Sequence, residues 1–444
     1  MSEQNQERGV WSSKIGFILA GAGSAVGLGN IWRFPTTAGK YGGAAFVIVY
    51  LLSVVLICLA VMIAELSLGR HTQRNPVGAY KTLAPRTPWK FLGLLGVLTG
   101  WGISSFYSVI AGWTFGYIFK TAAGAFTGQT SEQVKEIFKA FTGDPLMAIG
   151  CHAIFMFITM LILYGGVKAG IERWSKILMP ILLLILILVV VRSVTLEGAG
   201  RGLEFYMLPD WSKFSGEGVV AAVGQAFFSL SLGMGTMITY GSYLSQKDNL
   251  ISSASWVVSL DTFIALLAGF AIMPAIYAFP GLDPKTGPSL IFEVLPNVFN
   301  AIPFGNWFGT GFFILLAVAA VTSLISIVEV PAAYFIDEMK MSRKKAVTIA
   351  GGGAFLVGIP AALSIQFLGL MDTIFGQYSL IIGSLGVAIF VGWKWGAAKV
   401  NAEIAKGNER YRGQAVYSFF IRFITPIAVT SLLICRILFP AAFN

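Results

Sequence analysis

The chain has 444 residues, of which 56% are hydrophobic and 12% charged, and its mean hydropathy is +0.76. Soluble domains carry about 25% charged residues, so the composition excludes an ordinary soluble protein and predicts one that crosses the lipid bilayer repeatedly. The formal net charge is +10, but Lys and Arg gather in alternate loops, as membrane topology requires. We therefore predict no nucleic-acid partner.

Eleven apolar runs are long enough to cross about 30 Å of hydrocarbon. In chain order they are spans 1 to 11, at 14–37, 43–69, 91–120, 147–165, 170–193, 218–243, 252–279, 307–336, 346–367, 371–397 and 415–441. Basic loops follow spans 2, 8 and 10, which places these loops and the N-terminus in the cytoplasm. Residues 283–304 are too short and too polar to span, so we expect an external loop with short helices.

Span 1 contains an anomaly at residues 19–35. Glycine costs about 1 kcal/mol and proline about 3 kcal/mol in a helix interior, yet this stretch holds Gly21, Gly23, Gly27, Gly29, Asn30, Arg33 and Pro35. At membrane depth, non-helical backbone is tolerated only where it is buried in protein or lines a polar cavity. The stretch therefore predicts a helix opened around a ligand or an ion.

Span 6 repeats the anomaly, because Gly233 and Gly235 interrupt it beside Ser229 and Ser231. Five spans separate the two interruptions, and an odd number of spans puts two halves in opposite orientations. Such a pair is the sequence pointer to a transporter with inverted repeats and a midplane site; the alternative is close helix packing through small residues. The predicted domains are an N-terminal latch (1–13), repeats at 14–193 and 218–397, and span 11.

Polar side chains at membrane depth extend the predicted site. Asp261 lies inside span 7, where a carboxylate is costly and marks function. In span 8, Thr322, Ser326 and Glu329 share one helical face, although Ser and Thr hydroxyls can also bond to their own helix. Hydroxyl and carboxylate oxygens suit a hard cation such as sodium. Glu65 and Glu329 lie nearer the ends of their spans, and we expect structural pairing there.

The stretch from Gly23 to Pro35 resembles the signature of the neurotransmitter:sodium symporters. Tyr107, residues 225–231 and the pair Asp337-Glu338 extend the resemblance over almost the whole chain. It implies an all-α polytopic membrane protein with eleven transmembrane helices and a 5+5 inverted repeat with broken helices 1 and 6. It also implies the inner (plasma) membrane of a bacterium, a bilayer-embedded chain for which a monomer suffices, and an amino-acid substrate.

The resemblance also implies the ligands. One sodium ion would be held by Ala25, Asn30, Ser229 and Asp261, and a second by Gly23, Val26, Ala319, Thr322 and Ser323. The amino acid would lie among Ser24, Ala25, Gly27, Gly29, Ile103, Tyr107, Phe228, Ser229, Ser231, Met234, Ser323 and Ile327. These assignments are consistent with the properties of a broken helix, because one half offers backbone amide donors and the other half offers carbonyl acceptors.

Two positions depart from the family pattern. Gly27 stands where monoamine transporters have an aspartate, which favours a substrate that brings its own carboxylate. Asp261 stands where most members have an amide, so we expect it to supply the negative charge that chloride gives in animal relatives, and chloride to be unnecessary. The pocket lacks Lys and Arg. Met234 can adapt its side chain to substrates of different shape, or it merely fills space. We therefore expect hydrophobic amino acids, including aromatic ones, as substrates.

The resemblance further implies two gates. Phe228 and Tyr107 would close over the substrate, with Arg33 capping them through an acid in span 10. Asp372 is the nearest acid, although it falls about a turn from the expected place. At the cytoplasmic end, Arg8 and Trp11 would latch the N-terminus onto Asp337.

The predicted function is thus sodium-coupled import of amino acids by alternating access. No nucleophile with a positioned base and no phosphate-cradling loop is evident, so an enzyme or an ATP-driven pump is not expected, and two opposed broken helices around a closed pocket do not suggest a channel. The alternatives are an amino-acid sensor that keeps the site without net flux, and proton coupling at Asp261.

Overall fold

The computed structural model describes residues 9–279, 290–408 and 410–438, which form helices and turns without a β-strand. Nine helices there are long and apolar enough to cross a membrane, and the bent pair of span 1 makes a tenth. Span 6 fails the same test because it is split into helices of 14 and 6 residues. The all-helical membrane fold is confirmed, whereas a count of eleven full-length spans is not.

The spans follow one another in the predicted order. Their bounds are Lys14–Ala25 with Gly29–Lys40, Ala44–Thr72, Lys90–Ala122, Pro145–Tyr164, Gly166–Val194, Gly216–Ser229 with Thr236–Gly241, Leu250–Tyr277, Gly305–Met339, Arg343–Leu363, Ile365–Lys406 and Gln414–Leu438. Shorter connecting helices lie at Pro76–Leu83, Ser131–Gly143, Ala199–Met207 and Leu295–Asn300. The last of these falls in the predicted external loop 283–304, of which 283–289 lie outside the described residues.

The boundary between spans 9 and 10 differs from the prediction. Ser364 is extended (φ −144°, ψ 112°), and its hydroxyl accepts a hydrogen bond from the Phe367 amide at 3.2 Å, which caps a new helix. Residues 365–371 therefore begin span 10. At its other end the chain turns at Gly396 (φ 95°) and continues as the helix Ala397–Lys406, which we had assigned to a basic loop.

The helix Ala397–Lys406 is held against the end of span 2 by charge. The fully buried Arg70 places its Nε 2.8 Å from Glu403 Oε1 and donates to the Asp248 carbonyl at 2.5 Å. His71 Nδ1 and Lys406 Nζ lie 2.9 Å and 2.7 Å from Glu403 Oε2. A buried charge is tolerated only when it is paired, so this cluster fixes the short helix under spans 2 and 6.

Span 1 opens where its glycines predict. Its first helix starts at the cap Ser13 and ends at Ala25, and Val26 is extended (φ −72°, ψ 97°). The second helix resumes at Gly29, bent by 53° from the first. The opening is shorter than the interpreted stretch 19–35, because residues from Gly29 onward, including Arg33, are helical again.

Span 6 opens between Ser229 and Thr236. Gly233 and Gly235 have φ of 85° and 78°, in the left-handed region that glycine occupies without strain. Gly233 also has no room for a side chain, since a Cβ there would lie 2.2 Å from the Leu380 carbonyl oxygen. The two glycines are therefore required by backbone shape and by close approach of span 10.

Candidate functional site

The two openings face a common small pocket of about 20 Å³. Its lining is Ser24, Ala25, Gly27, Gly29, Ile103, Tyr107, Phe228, Ser231, Met234, Ser323, Ile327 and Leu380. Eleven of these twelve residues are the ones proposed for the substrate from the sequence. Leu380 of span 10 was missed, and Ser229 lies beside the pocket in the acidic cluster described below.

Gly27 allows two side chains to approach the opened backbone more closely than a residue with a Cβ would allow. A Cβ at this position would lie 2.4 Å from Ser323 Oγ and 2.6 Å from Tyr107 Oη, both far inside contact distance. The adjoining amides point toward acceptors: the Gly27 amide donates to Asn30 Oδ1 at 3.2 Å and the Leu28 amide to Tyr107 Oη at 3.0 Å. The opened backbone therefore presents donors on the Tyr107 side of the pocket.

Asp261 is the acid nearest this opening and is completely buried. Asn30 Nδ2 donates to its Oδ1 at 2.7 Å and to its carbonyl oxygen at 3.1 Å. Ser229 Oγ lies 2.9 Å from Asp261 Oδ2, and Tyr50 Oη lies 3.5 Å from Ser229 Oγ. No ion pair joins Asp261 to a basic side chain within 9–279, 290–408 and 410–438. A bound cation would therefore compensate its charge.

A second group of oxygens lies where span 8 meets the opening of span 1. Ser323 Oγ is 3.1 Å from the Ser24 carbonyl, 3.2 Å from that of Val26 and 3.4 Å from that of Gly23. One residue earlier, Thr322 Oγ1 lies 3.0 Å from the Ala319 carbonyl. All are neutral oxygens, and hard monovalent or divalent cations favour oxygen ligands. A Cβ at Gly23 would lie 3.2 Å from Thr322 Cβ, so the residues proposed for the second sodium lie together where the two spans meet.

Phe228 and Tyr107 separate the pocket from a larger vestibule. Both residues line the pocket and also a cavity of about 360 Å³ that continues to Arg33 and to span 10. The Arg33 guanidinium lies 4.3 Å from the centre of the Phe228 ring, a cation–π contact. These three residues thus lie together between the pocket and the vestibule.

Asp372 lines the same vestibule but is not ion-paired with Arg33 in this structure. Its Oδ2 accepts a hydrogen bond from Gln377 Nε2 at 2.6 Å. The direct pairing suggested for Arg33 and Asp372 is therefore absent among the described contacts, and Asp372 is engaged by its own span instead.

At the opposite end, Trp11 packs on span 6. Its Nε1 donates to the Tyr240 carbonyl at 3.1 Å, and its ring centre is 5.2 Å from that of Tyr240. Asp337 accepts hydrogen bonds from the Asn75 amide at 2.8 Å and from Asn75 Nδ2 at 3.0 Å. Arg8 lies outside the described residues. The contact of Trp11 is thus with span 6 and not with Asp337.

Glu172 was not found from the sequence. It is 1% exposed and accepts from the Ser12 amide at 2.7 Å, Ser12 Oγ at 2.5 Å and Ser13 Oγ at 3.0 Å. Lys176 Nζ lies 2.6 Å away. Gly16 makes this possible, since a Cβ there would be 2.0 Å from Glu172 Oε1. The signal was present as an acid beside the start of an apolar span.

Two further buried acids have the structural roles that we expected. Glu65 Oε1 accepts from the Gly233 amide at 2.7 Å and so satisfies the opened backbone of span 6. Glu329 pairs with Arg343 at 2.7 Å and accepts from Tyr243 Oη at 2.7 Å. Both carboxylates are occupied by partners that hold helices together.

Helices opened at a shared pocket, with oxygen clusters beside it, define a secondary transporter with discontinuous helices. The model of the Sodium:neurotransmitter symporter family matches residues 8–137 and 144–442. The chain therefore belongs to the sodium:neurotransmitter symporter family, as its signature resemblance implied. Its family consists of sodium-dependent transporters, not of enzymes.

Comparisons with individual proteins support the same family assignment. The chain is 40% identical over 443 residues to the uncharacterized sodium-dependent transporter YhdH of Bacillus subtilis, covering 97% of both chains. It is 34% identical over 460 residues to an uncharacterized sodium-dependent transporter of Haemophilus influenzae, covering 98% of this chain and 100% of that one. The crystal structure of MhsT in complex with L-phenylalanine matches with a TM-score of 0.89 at 43% identity, covering 96% and 99% of the two chains.

Proposed function

We propose that this protein imports hydrophobic amino acids, including aromatic ones, together with sodium. The observation that carries the proposal is the opened backbone at Gly27, which the hydroxyls of Tyr107 and Ser323 approach closely. A substrate carboxylate at this edge of the pocket would meet the Tyr107 hydroxyl and the backbone amides that follow Gly27. MhsT, a relative of the same fold, has been crystallised with L-phenylalanine.

The remaining lining supports the substrate class. Ile103, Phe228, Met234, Ile327 and Leu380 supply apolar side chains, and no Lys, Arg, Asp or Glu lines the pocket. Burying an acidic or basic substrate side chain there would be costly without a partner, whereas an apolar side chain gains about 25 cal/mol per Å² of surface removed from water. A hydrophobic side chain is therefore selected over a charged one.

We assign one sodium to Asp261, Asn30, Ser229 and the Ala25 carbonyl. Asp261 brings a full negative charge to this group, which supports transport without chloride. The second sodium is assigned to Thr322 and Ser323 with the carbonyls of Gly23, Val26 and Ala319. The first ion adjoins the substrate pocket, so the affinities of sodium and substrate are reciprocally coupled.

In this proposal the vestibule faces the outside and the N-terminus faces the cytoplasm of a bacterium. The two repeats, 14–193 and 218–397, supply a bundle of spans 1, 2, 6 and 7 that rocks against spans 3, 4, 8 and 9, and a monomer is sufficient. The vestibule reaches down to Phe228 and Tyr107, while Trp11 and Glu172 hold the other end. Opening that end requires release of both contacts.

The deciding experiment is uptake of labelled amino acids into proteoliposomes with an inward sodium gradient, against potassium as control. Sodium-dependent accumulation of phenylalanine or leucine, competed by other hydrophobic amino acids and not by glutamate or lysine, is the expected result. Saturable binding without accumulation would favour a sensor. Uptake driven by a proton gradient without sodium would assign coupling to protons at Asp261 and overturn the sodium proposal.

A further inference from the structure

The vestibule is lined by an arginine from span 11, which lies outside both proposed repeats. Arg436 is 5% exposed and lies two residues before the end of the helix Gln414–Leu438. A buried arginine in a membrane span is presumed functional and needs a partner. The basic residues Arg33 and Lys40 line the same cavity as Arg436. Asp372 is the single acid among the lining residues described.

Arg436 is held against span 10. Its Nη2 donates to Gln377 Oε1, and its guanidinium lies 5.7 Å from the centre of the Tyr378 ring. The Tyr378 hydroxyl also lies 3.4 Å from the Arg436 carbonyl oxygen. The side chain is therefore anchored toward the vestibule and is not turned to the lipid.

Gln377 connects this arginine to Asp372. Its Nε2 donates to Asp372 Oδ2 at 2.6 Å. The orientation of the amide is dictated by its partners, because a guanidinium only donates hydrogen bonds and a carboxylate only accepts them. A carboxylate, an amide and a guanidinium thus form one polarised chain from span 10 to span 11, and such charge-assisted bonds are the strong ones.

Arg33 is not part of that chain. Its guanidinium lies 4.3 Å from the Phe228 ring centre, and no ion pair joins it to Asp372 among the described contacts. The acid that would draw Arg33 across the vestibule is therefore committed to Gln377 and Arg436 while the vestibule is open.

We propose that Arg436 is a positioning residue of the gate: acting through Gln377, it holds Asp372 away from Arg33 and keeps the vestibule open. The gate closes when Asp372 leaves this chain and pairs with Arg33. Span 11 thereby sets how readily the transporter accepts substrate. The inference rests on the proposed transport function, but its test does not require transport.

The test measures access to the vestibule in the full-length protein in proteoliposomes. Cys58, Cys151 and Cys435 are replaced by Ala, and Ala221→Cys places one thiol on the vestibule wall, where Ala221 is half-buried. The rate of labelling by a membrane-impermeant maleimide is recorded in sodium without substrate. Arg436→Gln frees Asp372 for Arg33, so labelling should slow by about 5-fold or more, the scale of a typical coupling between sites.

A double variant distinguishes a positioning role of Arg436 from a merely structural one. Adding Asp372→Asn to Arg436→Gln should restore the fast labelling rate, because Arg33 then has no acid with which to pair. The conservative variant Arg436→Lys should retain most of the wild-type labelling rate. The matched control is Arg422→Gln in the same span, where Nε bonds the Gly392 carbonyl at 3.0 Å away from the vestibule; its rate should not change.

Two results would overturn the inference. One is a labelling rate that Arg436→Gln leaves unchanged or increases. The other is a slow rate that Asp372→Asn does not reverse. Sodium-dependent uptake by the cysteine-substituted parent is measured alongside, so a failure of the transport proposal is seen separately from a failure of the gate.

Discussion

Asn30 Nδ2 lies 2.7 Å from Asp261 Oδ1, and Asn30 Oδ1 receives the Gly27 amide at 3.2 Å. One side chain thus ties the opened backbone of span 1 to the buried acid of span 7. Anything that neutralises Asp261 acts on the same backbone that surrounds the substrate pocket. This relationship gives coupling between ion and substrate a short physical route.

Replacing Asp261 with Asn should weaken sodium binding and create a need for chloride. The substitution removes a full negative charge but keeps the size and one acceptor oxygen. We expect the sodium concentration for half-maximal uptake to rise about tenfold or more, which corresponds to roughly 1.4 kcal/mol, and uptake by the variant to improve in chloride over gluconate. Wild-type uptake should be equal in the two anions; a chloride requirement with Asp261 intact would falsify its assigned role.

Gly27→Ala should weaken substrate binding. The new Cβ would stand 2.4 Å from Ser323 Oγ and 2.6 Å from Tyr107 Oη, so both hydroxyls that border the pocket would have to move. Overpacking of this kind costs about 1–3 kcal/mol, and we expect at least a tenfold (~1.4 kcal/mol) loss of phenylalanine affinity.

The control for that loss is Gly311→Ala in span 8. Nothing lies within 4 Å of a Cβ at Gly311, so binding should be unchanged and the helix slightly stabilised. Scintillation proximity binding on purified protein measures both variants. Normal affinity in Gly27→Ala would remove the argument for the substrate carboxylate.

Thr322→Val should lower sodium affinity and leave the fold intact. Valine keeps the shape of threonine but removes the hydroxyl that lies 3.0 Å from the Ala319 carbonyl. Loss of one oxygen ligand should raise the half-saturating sodium concentration several-fold, roughly 1 kcal/mol. Ser326→Ala is the comparison, because the Ser326 hydroxyl also bonds its own helix, at the Ser323 carbonyl at 2.7 Å, whereas only Thr322 lies against the opened backbone, 3.2 Å from a Cβ built at Gly23. Equal sodium curves for the two variants would place the second ion elsewhere.

Glu172→Gln should loosen the N-terminal segment. The neutral amide loses the Lys176 pair and weakens the bonds from Ser12 and Ser13, and hydrogen bonds to a charged group contribute about 1.5–3 kcal/mol. Hydrogen exchange of residues 9–16 should quicken and apparent substrate affinity should fall, since the inward-open form becomes more populated. Glu132→Gln, on an exposed helix, should change neither. Unaltered exchange in Glu172→Gln would show that this contact does not hold the segment.

The sequence predicted best where a residue type contradicts its surroundings. Gly27, Gly233 and Asp261 are anomalous in apolar spans, and each lies in or beside the pocket. Leu380 was missed for the opposite reason: a leucine in an apolar span carries no local signal, and only the approach of span 10 to Gly233 reveals it. Contacts between distant spans are decided by packing, which composition does not encode.

The partners of charged side chains were also not predictable from the sequence alone. The family resemblance suggested Arg33 and Asp372 as gate residues, but the sequence could not reveal that Gln377 and Arg436 engage the acid. The boundary at Ser364 was missed because residues on both sides of it are apolar, and one hydroxyl cap decides where the helix restarts. The capping role of Ser364 cannot be inferred from the sequence without knowing which amide its hydroxyl accepts from.

The divided span 6 has a consequence for how the chain is made. Helices of 14 and 6 residues reach about 21 Å and 9 Å at 1.5 Å per residue, so neither half alone crosses the hydrocarbon. When span 6 leaves the ribosome, Glu65 is already in place to accept the Gly233 amide, but the span 10 backbone that packs on Gly233 has not been translated. We therefore expect stable insertion of span 6 to wait for later synthesis, and substitutions in span 10 near Leu380 to reduce the yield of inserted protein before they alter transport.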